Sequence, residues 1–247
     1  MSVQRLAEHA ALWRDKPELR LVYSVWFDAL LAHAPKGARV VEVGAGPGLF
    51  ARYAREKRPD LVWIGSELAR TPWNEVVADA ESLPFRTGAA DAVLGLDIVH
   101  HLARPRAFFA EAARILRPGG RLAVVEPWVT PLSFVVYRFF HQEACRVPAD
   151  EWAPFAASAG DKDLFDGNAE TPRAIVRRTS EGEWRRLGLT SPRTELLNGL
   201  AYLLTLGFRR ASLLPARAAP AAMWVDDRLR ALAPLLALRA HIVWTRV

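Results

Sequence analysis

Four carboxylates and one histidine pair stand at or just past the ends of apolar runs: Glu42, Glu67, Asp79, Glu126 and His100-His101. Glu42 lies in Val40-Val41-Glu42-Val43, a run that reads as a buried parallel strand. Gly44, Gly46 and Gly48 follow on alternate residues, before a helical pattern begins at Leu49-Phe50-Ala51. A strand-to-helix turn of this kind lets a ligand lie against backbone N–H groups, because no Cβ stands in the way. A carboxylate beside it suits an ammonium group and repels a phosphate. Glu67 ends a second apolar run, Leu61 to Gly65, 23 residues after Gly44. An acidic residue at that separation in a βαβ nucleotide site accepts the ribose hydroxyls. His100 and His101 close a third run, Asp91 to Val99, and a histidine of near-neutral pKa suits proton transfer from a hydroxyl or phenol.

Two other glycine-turn chemistries fit less well. In a dinucleotide-binding G-x-G-x-x-G turn the third glycine stands at the sixth position, which here is Leu49, since Gly48 comes one residue early. A P-loop needs a Gly-Lys-Ser/Thr that is absent.

These residues must be positioned by alternating strands and helices. Residues 1–35 read as two helices divided at Lys16-Pro17, the second with a stripe of Tyr23, Trp26, Phe27, Leu30 and Leu31. A helix is expected from Pro105 to Leu116, ended by Pro118-Gly119-Gly120, and Arg121 to Pro127 is the next strand.

From about Val40 to Pro127 the chain resembles the class I S-adenosylmethionine-dependent methyltransferases, in the small-molecule group that includes quinone-biosynthesis enzymes. Four segments carry the resemblance: the Glu42-x-Gly44-x-Gly46-x-Gly48 turn, the acidic strand end at Glu67, Asp79-Ala80-Glu81-x-Leu83-Pro84-Phe85, and Arg114-Ile115-Leu116-Arg117-Pro118-Gly119-Gly120. The resemblance implies an α/β fold, a Rossmann-like doubly wound sheet of seven mostly parallel strands with an antiparallel last strand. It implies S-adenosyl-L-methionine as cofactor and S-adenosyl-L-homocysteine as product. By position, Gly44, Ala45, Gly46 and Gly48 would let the backbone approach the methionine part, and Glu42 would hold its ammonium. Glu67 would take the ribose hydroxyls with Leu68 beside the adenine. Asp79 and the Ala80 N–H would serve the adenine ring, and Leu96 would lie near the sulfonium. His100, His101 and Glu126 are the candidate catalytic residues.

The expected organisation is an N-terminal helical lid (1–35), a cofactor-binding core (36–127), an inserted substrate cap (128–192) and the C-terminal part of the sheet (193–247). The cap opens on an apolar, aromatic stretch, Leu132 to Phe140, and continues into a polar loop, Asp161 to Asn168. Loops that long in a compact domain carry function or structure of their own. The remaining sheet strands are expected at Gly207–Leu214 and His241–Val247, with a helix from Asp226 to Leu238 between them.

The net charge of +6 comes almost wholly from dispersed arginine, without the basic tract or aromatic-basic motif of a nucleic-acid binder. Arg173, Arg177, Arg178, Arg185, Arg186 and Arg193 cluster outside the cofactor region, a candidate receptor for a substrate phosphate or carboxylate or for anionic lipid. One cysteine, Cys145, excludes an internal disulfide framework and a C-x-x-C metal site. His141, Glu143 and Cys145 alternate, which on a helix splays them around the axis, so no metal site is expected. Neither a secretory leader nor a membrane-spanning run is visible, and cytoplasmic residence is expected. The sequence points to methyl transfer to a small hydrophobic or aromatic molecule, with oxygen the preferred acceptor. A lipid- or membrane-surface methyltransferase, a non-catalytic cofactor-binding subunit and an NAD-dependent oxidoreductase are the alternatives, and the oligomeric state is left open.

Overall fold

A computed structural model describes residues 2–139, 144–152 and 167–247. Two helices, α1 (Ser2–Asp15) and α2 (Pro17–Leu31), precede the sheet. The first half of the sheet then follows as β1 (Arg39–Val43), α3 (Leu49–Lys57), β2 (Val62–Glu67), β3 (Val76–Val77), β4 (Ala90–Leu96), α4 (Pro105–Ile115) and β5 (Leu116–Pro127). The second half comprises α5 (Pro131–Phe139), α6 (Thr171–Arg178), α7 (Glu181–Arg186), β6 (Arg193–Asn198), α8 (Leu200–Thr205), α9 (Ala219–Arg228), α10 (Ala233–Leu236) and β7 (Ala237–Thr245). The seven strands lie in the order β3-β2-β1-β4-β5-β7-β6. Only β7 runs against its neighbours, pairing antiparallel with both β5 and β6. This is the doubly wound sheet with one reversed strand that the sequence implies.

Period-two alternation along the central strands feeds two hydrophobic layers. Val40, Leu94 and Val125 pack with Phe27, Leu30 and Phe50 on the α2–α3 side. Their neighbours Val41, Val93 and Val124 pack with Phe108, Phe109 and Ile115 of α4 on the other. Because both faces are covered, the strands read as near-continuous apolar runs. The strand order reverses direction at β1 and β4, and ligands of such sheets bind outside the carboxyl ends at that point.

The first half of the chain folds where the sequence predicts, and the last third departs from it. Gly207–Leu214, expected as a strand, is a loop, and the sheet position is filled by β6 at Arg193–Asn198. Lys16 explains the difference: its buried Nζ donates to the carbonyls of Thr205, Gly207, Arg209 and Ala211 at 2.5, 2.7, 3.0 and 3.1 Å. Carbonyls gathered on one ammonium cannot serve a ladder. The expected helix from Asp226 to Leu238 is divided among α9, a 3₁₀ turn at Arg230–Leu232 and α10. Pro234 sits in the first turn of α10, where its missing N–H costs nothing. The last strand starts at Ala237, four residues before its expected start at His241.

The expected cap at 128–192 divides into two uses. Ile175 of α6, Trp184 of α7 and Leu189 are buried in the α4-side core with Phe109 and Trp244, so this part covers the sheet. His141, Glu143 and most of the polar loop from Asp161 lie outside the described residues.

Candidate functional site

A cavity of about 630 Å³ opens at the carboxyl ends of β1, β2 and β4, roofed by α1 and the α8 loop. Gly44, Ala45, Gly46, Glu42, Glu67, Leu68, Asp79, Ala80, Leu96, His100 and His101 all line it. Two expected site residues, Gly48 and Glu126, do not.

Gly44 and Gly46 hold φ of 68° and 50°, the left-handed region where a Cβ is strained. A Cβ on Gly44 would also stand 3.0 Å from Ile98 Cδ1. Gly48 needs glycine for a different reason. Its φ is 68° and a Cβ would fall 2.7 Å from Trp73 Cβ, so its role is close packing of the loop after β2 against the start of α3.

Glu67 binds the glycine turn directly. Its Oε2 accepts from the Gly46 N–H and its Oε1 from the Leu68 N–H, both at 2.8 Å. Each carboxylate oxygen keeps accepting capacity, which suits two vicinal hydroxyls. Asp79 Oδ1 accepts from the Glu81 N–H at 2.9 Å, the turn-capping role that short acidic residues favour, while the residue still borders the cavity. Glu42 is buried, and its Oε2 accepts from the Trp63 indole N–H at 2.8 Å. Burial pushes its carboxyl up to about 8 against the Trp63 hydrogen bond. In the ligand-free chain it is therefore a neutral acid at pH 7, and an ammonium ligand beside it would draw it toward the ionised form.

Glu126 is fully buried beneath the turn after β4. It accepts from the N–H groups of Ile98 and Val99 at 2.8 and 2.7 Å and contacts His100 Nδ1 at 2.7 Å. Burial alone would raise its carboxyl, but the His100 ring and these N–H groups outweigh it and hold the carboxyl below the usual range. Glu126, expected among the catalytic residues, thus has its oxygens engaged by the turn and by His100 and does not border the cavity. With Glu126 ionised, Nδ1–H is the donor toward it. The His100 and His101 rings lie 3.9 Å apart, and the absent Cβ of Gly167 lets that backbone rest on them.

The far wall contains residues that the sequence reading missed. Asp97, directly after Leu96, is one of two non-glycine residues at positive φ among the described residues, at 57°. Its Oδ1 pairs with Nη1 of Arg239, on β7. The Arg239 guanidinium also lies 5.2 Å from the Trp26 ring and 5.5 Å from the Tyr202 ring. Burial works against its charge, yet Asp97 and the surrounding tyrosines hold its pKa well above the ordinary value. Tyr23 lines this wall, and Trp26 lies behind it, outside the lining. His9 of α1 stacks on Phe208 at 4.3 Å, and burial with Arg5 nearby lowers its pKa to about 4. None of the clustered arginines from Arg173 to Arg193 borders the cavity, whose arginines are Arg5, Arg209 and Arg239. Arg173 and Arg185 instead pair with Glu170 and Glu181. Asp97 gave a weak signal beside the histidine pair. Arg239 gave none, since it stands 142 residues from its partner.

Among the described residues no cluster of three metal-ligating side chains occurs, and no helix is long and apolar enough to cross a membrane.

Comparison with known proteins supplies independent information. Residues 41–124 match the family described as "Methyltransferase domain". The chain is 27% identical over 188 residues to a tRNA (carboxymethyluridine(34)-5-O)-methyltransferase of Mus musculus, covering 72% of this chain and 25% of that one. It is 41% identical over 97 residues to a fatty-acid O-methyltransferase of Mycolicibacterium smegmatis, covering 34% and 35% of the two chains. It thus spans about a quarter to a third of these relatives' lengths. Among solved structures, a geranyl diphosphate C-methyltransferase of Streptomyces coelicolor superposes with a TM-score of 0.54 at 16% identity, covering 92% of this chain and 80% of that one. That likeness is one of fold. The family match runs from β1 into β5, the strands whose ends and glycine turn build the cavity floor, so this part of the chain carries a methyltransferase domain.

Proposed function

We propose that this chain is an enzyme that transfers a methyl group from S-adenosyl-L-methionine to a small hydrophobic or aromatic molecule, with oxygen the preferred acceptor atom. The observation that carries the reading is the joint opening of the glycine turn, Glu67 and the histidine pair into one cavity. The residues fit the cofactor. Left-handed glycines leave a cradle without Cβ atoms, Glu67 offers acceptors for two hydroxyls, and Glu42 is a buried carboxyl able to ionise beside an ammonium.

S-adenosyl-L-methionine held by these residues would supply an electrophilic methyl group on a sulfonium. The chain's part is alignment and exclusion of water. Leu6, Leu12 and Phe27 give the cavity apolar walls, and α1 covers it. His100, oriented through Nδ1 by Glu126, is assigned the role of taking the proton of a hydroxyl acceptor. Replacing His100 by Asn should lower kcat about 100-fold with such an acceptor. Gly44, Ala45, Gly46 and Leu96 are assigned to the methionine part and the sulfonium. Leu68, Asp79 and Ala80 are assigned to the adenine.

A cavity with apolar walls supports a small-molecule acceptor here, although the mouse relative acts on a tRNA. Cytoplasmic residence remains part of the proposal. A second reading, methyl transfer at a lipid surface, is favoured by Phe134, Val135 and Phe139 of α5, which are 46, 45 and 71% exposed. Sedimentation with anionic and neutral liposomes separates the two readings.

Calorimetric titration with S-adenosylhomocysteine, with NADH as control, tests the central claim. Micromolar affinity for the former alone is expected, and a preference for NADH would overturn it.

A further inference from the structure

We propose that the second carboxylate oxygen of Asp97, Oδ2, receives a neutral hydrogen-bond donor of the methyl acceptor, in the simplest case a second hydroxyl. The proposal rests on the reading of this cavity as the methyl-transfer site. It adds a specificity-determining residue apart from His100, which is assigned the reacting hydroxyl.

Asp97 borders the cavity, and its side chain is 28% exposed against 7% for Arg239. Its Oδ1 accepts from Arg239 Nη1, and no described residue donates to Oδ2. Oδ2 is not among the buried polar atoms that lack a partner, so it keeps accessible surface. A carboxylate oxygen accepts hydrogen bonds and donates none, so this edge is satisfied only by a donor. The guanidinium on the other edge cancels the carboxylate charge, so an ammonium gains little there. An anion meets an edge that has nothing to donate. The chemistry that fits is a neutral O–H or N–H.

The backbone shows that this edge is held in place. Asp97 stands in the left-handed region, φ 57°, which a non-glycine residue adopts only under constraint. Three consecutive N–H groups supply the constraint. That of Asp97 donates to the Val125 carbonyl at 3.0 Å, and those of Ile98 and Val99 donate to Glu126 at 2.8 and 2.7 Å. Ile98 is wedged against two strand ends, where a Cβ on Gly95 would fall 2.8 Å from its Cγ2 and one on Gly44 3.0 Å from its Cδ1. The turn therefore cannot swing Asp97 away from the cavity. A counter-ion for Arg239 needs neither a strained backbone nor an accessible second oxygen. Both are kept at the carboxyl end of β4, where the fold binds its ligands.

The walls beside Asp97 are aromatic. Tyr23, Tyr202 and Phe208 all line the cavity, with the Tyr23 ring 6.1 Å from Tyr202 and 5.8 Å from Phe208. An aromatic body carrying the donor suits these walls.

The test uses the full chain saturated with S-adenosylhomocysteine and titrated with 2-naphthol, 2-methoxynaphthalene, 2-naphthoate and 2-naphthylmethylamine. The four share one body and offer a neutral donor, an acceptor alone, an anion and an ammonium. 2-Naphthol is expected to bind about ten-fold more tightly than the other three, the size of one hydrogen bond to a charged group. Asp97→Asn separates contact from scaffolding. Asparagine tolerates the left-handed backbone, and because arginine only donates, its amide oxygen must face Arg239 and its NH₂ the cavity. In that variant 2-methoxynaphthalene is expected to gain and to bind within two-fold of 2-naphthol, whereas a purely structural role would weaken all four probes alike. Any of the other three probes matching 2-naphthol in the wild type, no 2-naphthol binding up to its solubility limit, or the ten-fold preference retained in Asp97→Asn would each overturn the proposal. If Asp97→Asn loses its fold, visible as lost S-adenosylhomocysteine binding, the wild-type ranking of the four probes decides. Failure of the wild-type chain to bind S-adenosylhomocysteine would instead sink the underlying functional reading.

Discussion

The two halves of the cavity are built on different principles. Its β1–β3 side comes from short, local segments. The turn at Gly44–Gly46 is held by Glu67, 21 residues away, and Asp79 caps its own turn through Glu81. The Arg239 side is assembled from distant chain. Asp97 meets Arg239 across 142 residues, and Lys16 between α1 and α2 gathers carbonyls as much as 195 residues away. A local site can be specified by motif because backbone geometry alone brings its groups together. A distributed site depends on the packing of whole elements, so its residues carry no mutual spacing. The proposed cofactor end is therefore the half that a motif can specify, and the far wall is the half that it cannot.

Several substitutions should break or sharpen this contrast. The largest effect is expected from Lys16→Met, which leaves the carbonyls of Thr205, Gly207, Arg209 and Ala211 without their ammonium. A loss of about 3 kcal/mol is expected, seen in calorimetry as a melting point lower by roughly 10 °C. A shift below about 2 °C would mean that the acceptor wall does not depend on this staple. Glu67→Ala should act on the other half, weakening S-adenosylhomocysteine by about 2–3 kcal/mol, roughly 100-fold, through lost hydroxyl acceptors and a freed glycine turn. Wild-type affinity in that variant would displace the cofactor from this end of the cavity.

Gly48→Ala sharpens the contrast within the turn itself. Its cost should appear mainly as about 1–2 kcal/mol of stability, from positive φ and the Trp73 clash, with a smaller change in cofactor affinity than Gly46→Val. A larger affinity loss at Gly48 than at Gly46 would return it to direct ligand contact.

The last test concerns Glu42 and pH. The folded chain keeps this proton up to about pH 8, whereas the unfolded chain releases it near the ordinary 4.5. Between those values the folded state binds more protons. The Glu42 contribution to stability is therefore full below 4.5 and is lost as pH rises through about 8. Urea unfolding of the ligand-free chain across this window should fall more steeply for wild type than for Glu42→Gln. Parallel curves would show that Glu42 is already ionised at neutral pH.

Much of the sheet was legible in the sequence because buried parallel strands write themselves as apolar runs closed by turns. Val40–Val43 and the run ending at Leu96 are strands of that kind. The edge strand Arg193–Asn198 was not legible. It is half-exposed and lacks a continuous apolar run, while the apolar Leu213-Leu214 next to the α8 loop imitated one. The burial of Glu126 away from the cavity was illegible for a similar reason. A carboxylate at a strand end looks the same in sequence whether it faces a ligand or, as here, the N–H groups of Ile98 and Val99.

By itself the sequence determined the doubly wound sheet, the glycine turn and the acidic residues beside it, because these follow from hydrophobic periodicity and from the freedom of glycine at positive φ. Tertiary structure alone decided which charges line the far wall of the cavity. Reversal of β7 carries Arg239 to the carboxyl ends of the parallel strands, beside Asp97, and α6 and α7 take the clustered arginines away from the cavity. The physical reason is that charge acts over a few ångströms of space, and the distance between two side chains on different elements is fixed by packing rather than by their separation along the chain.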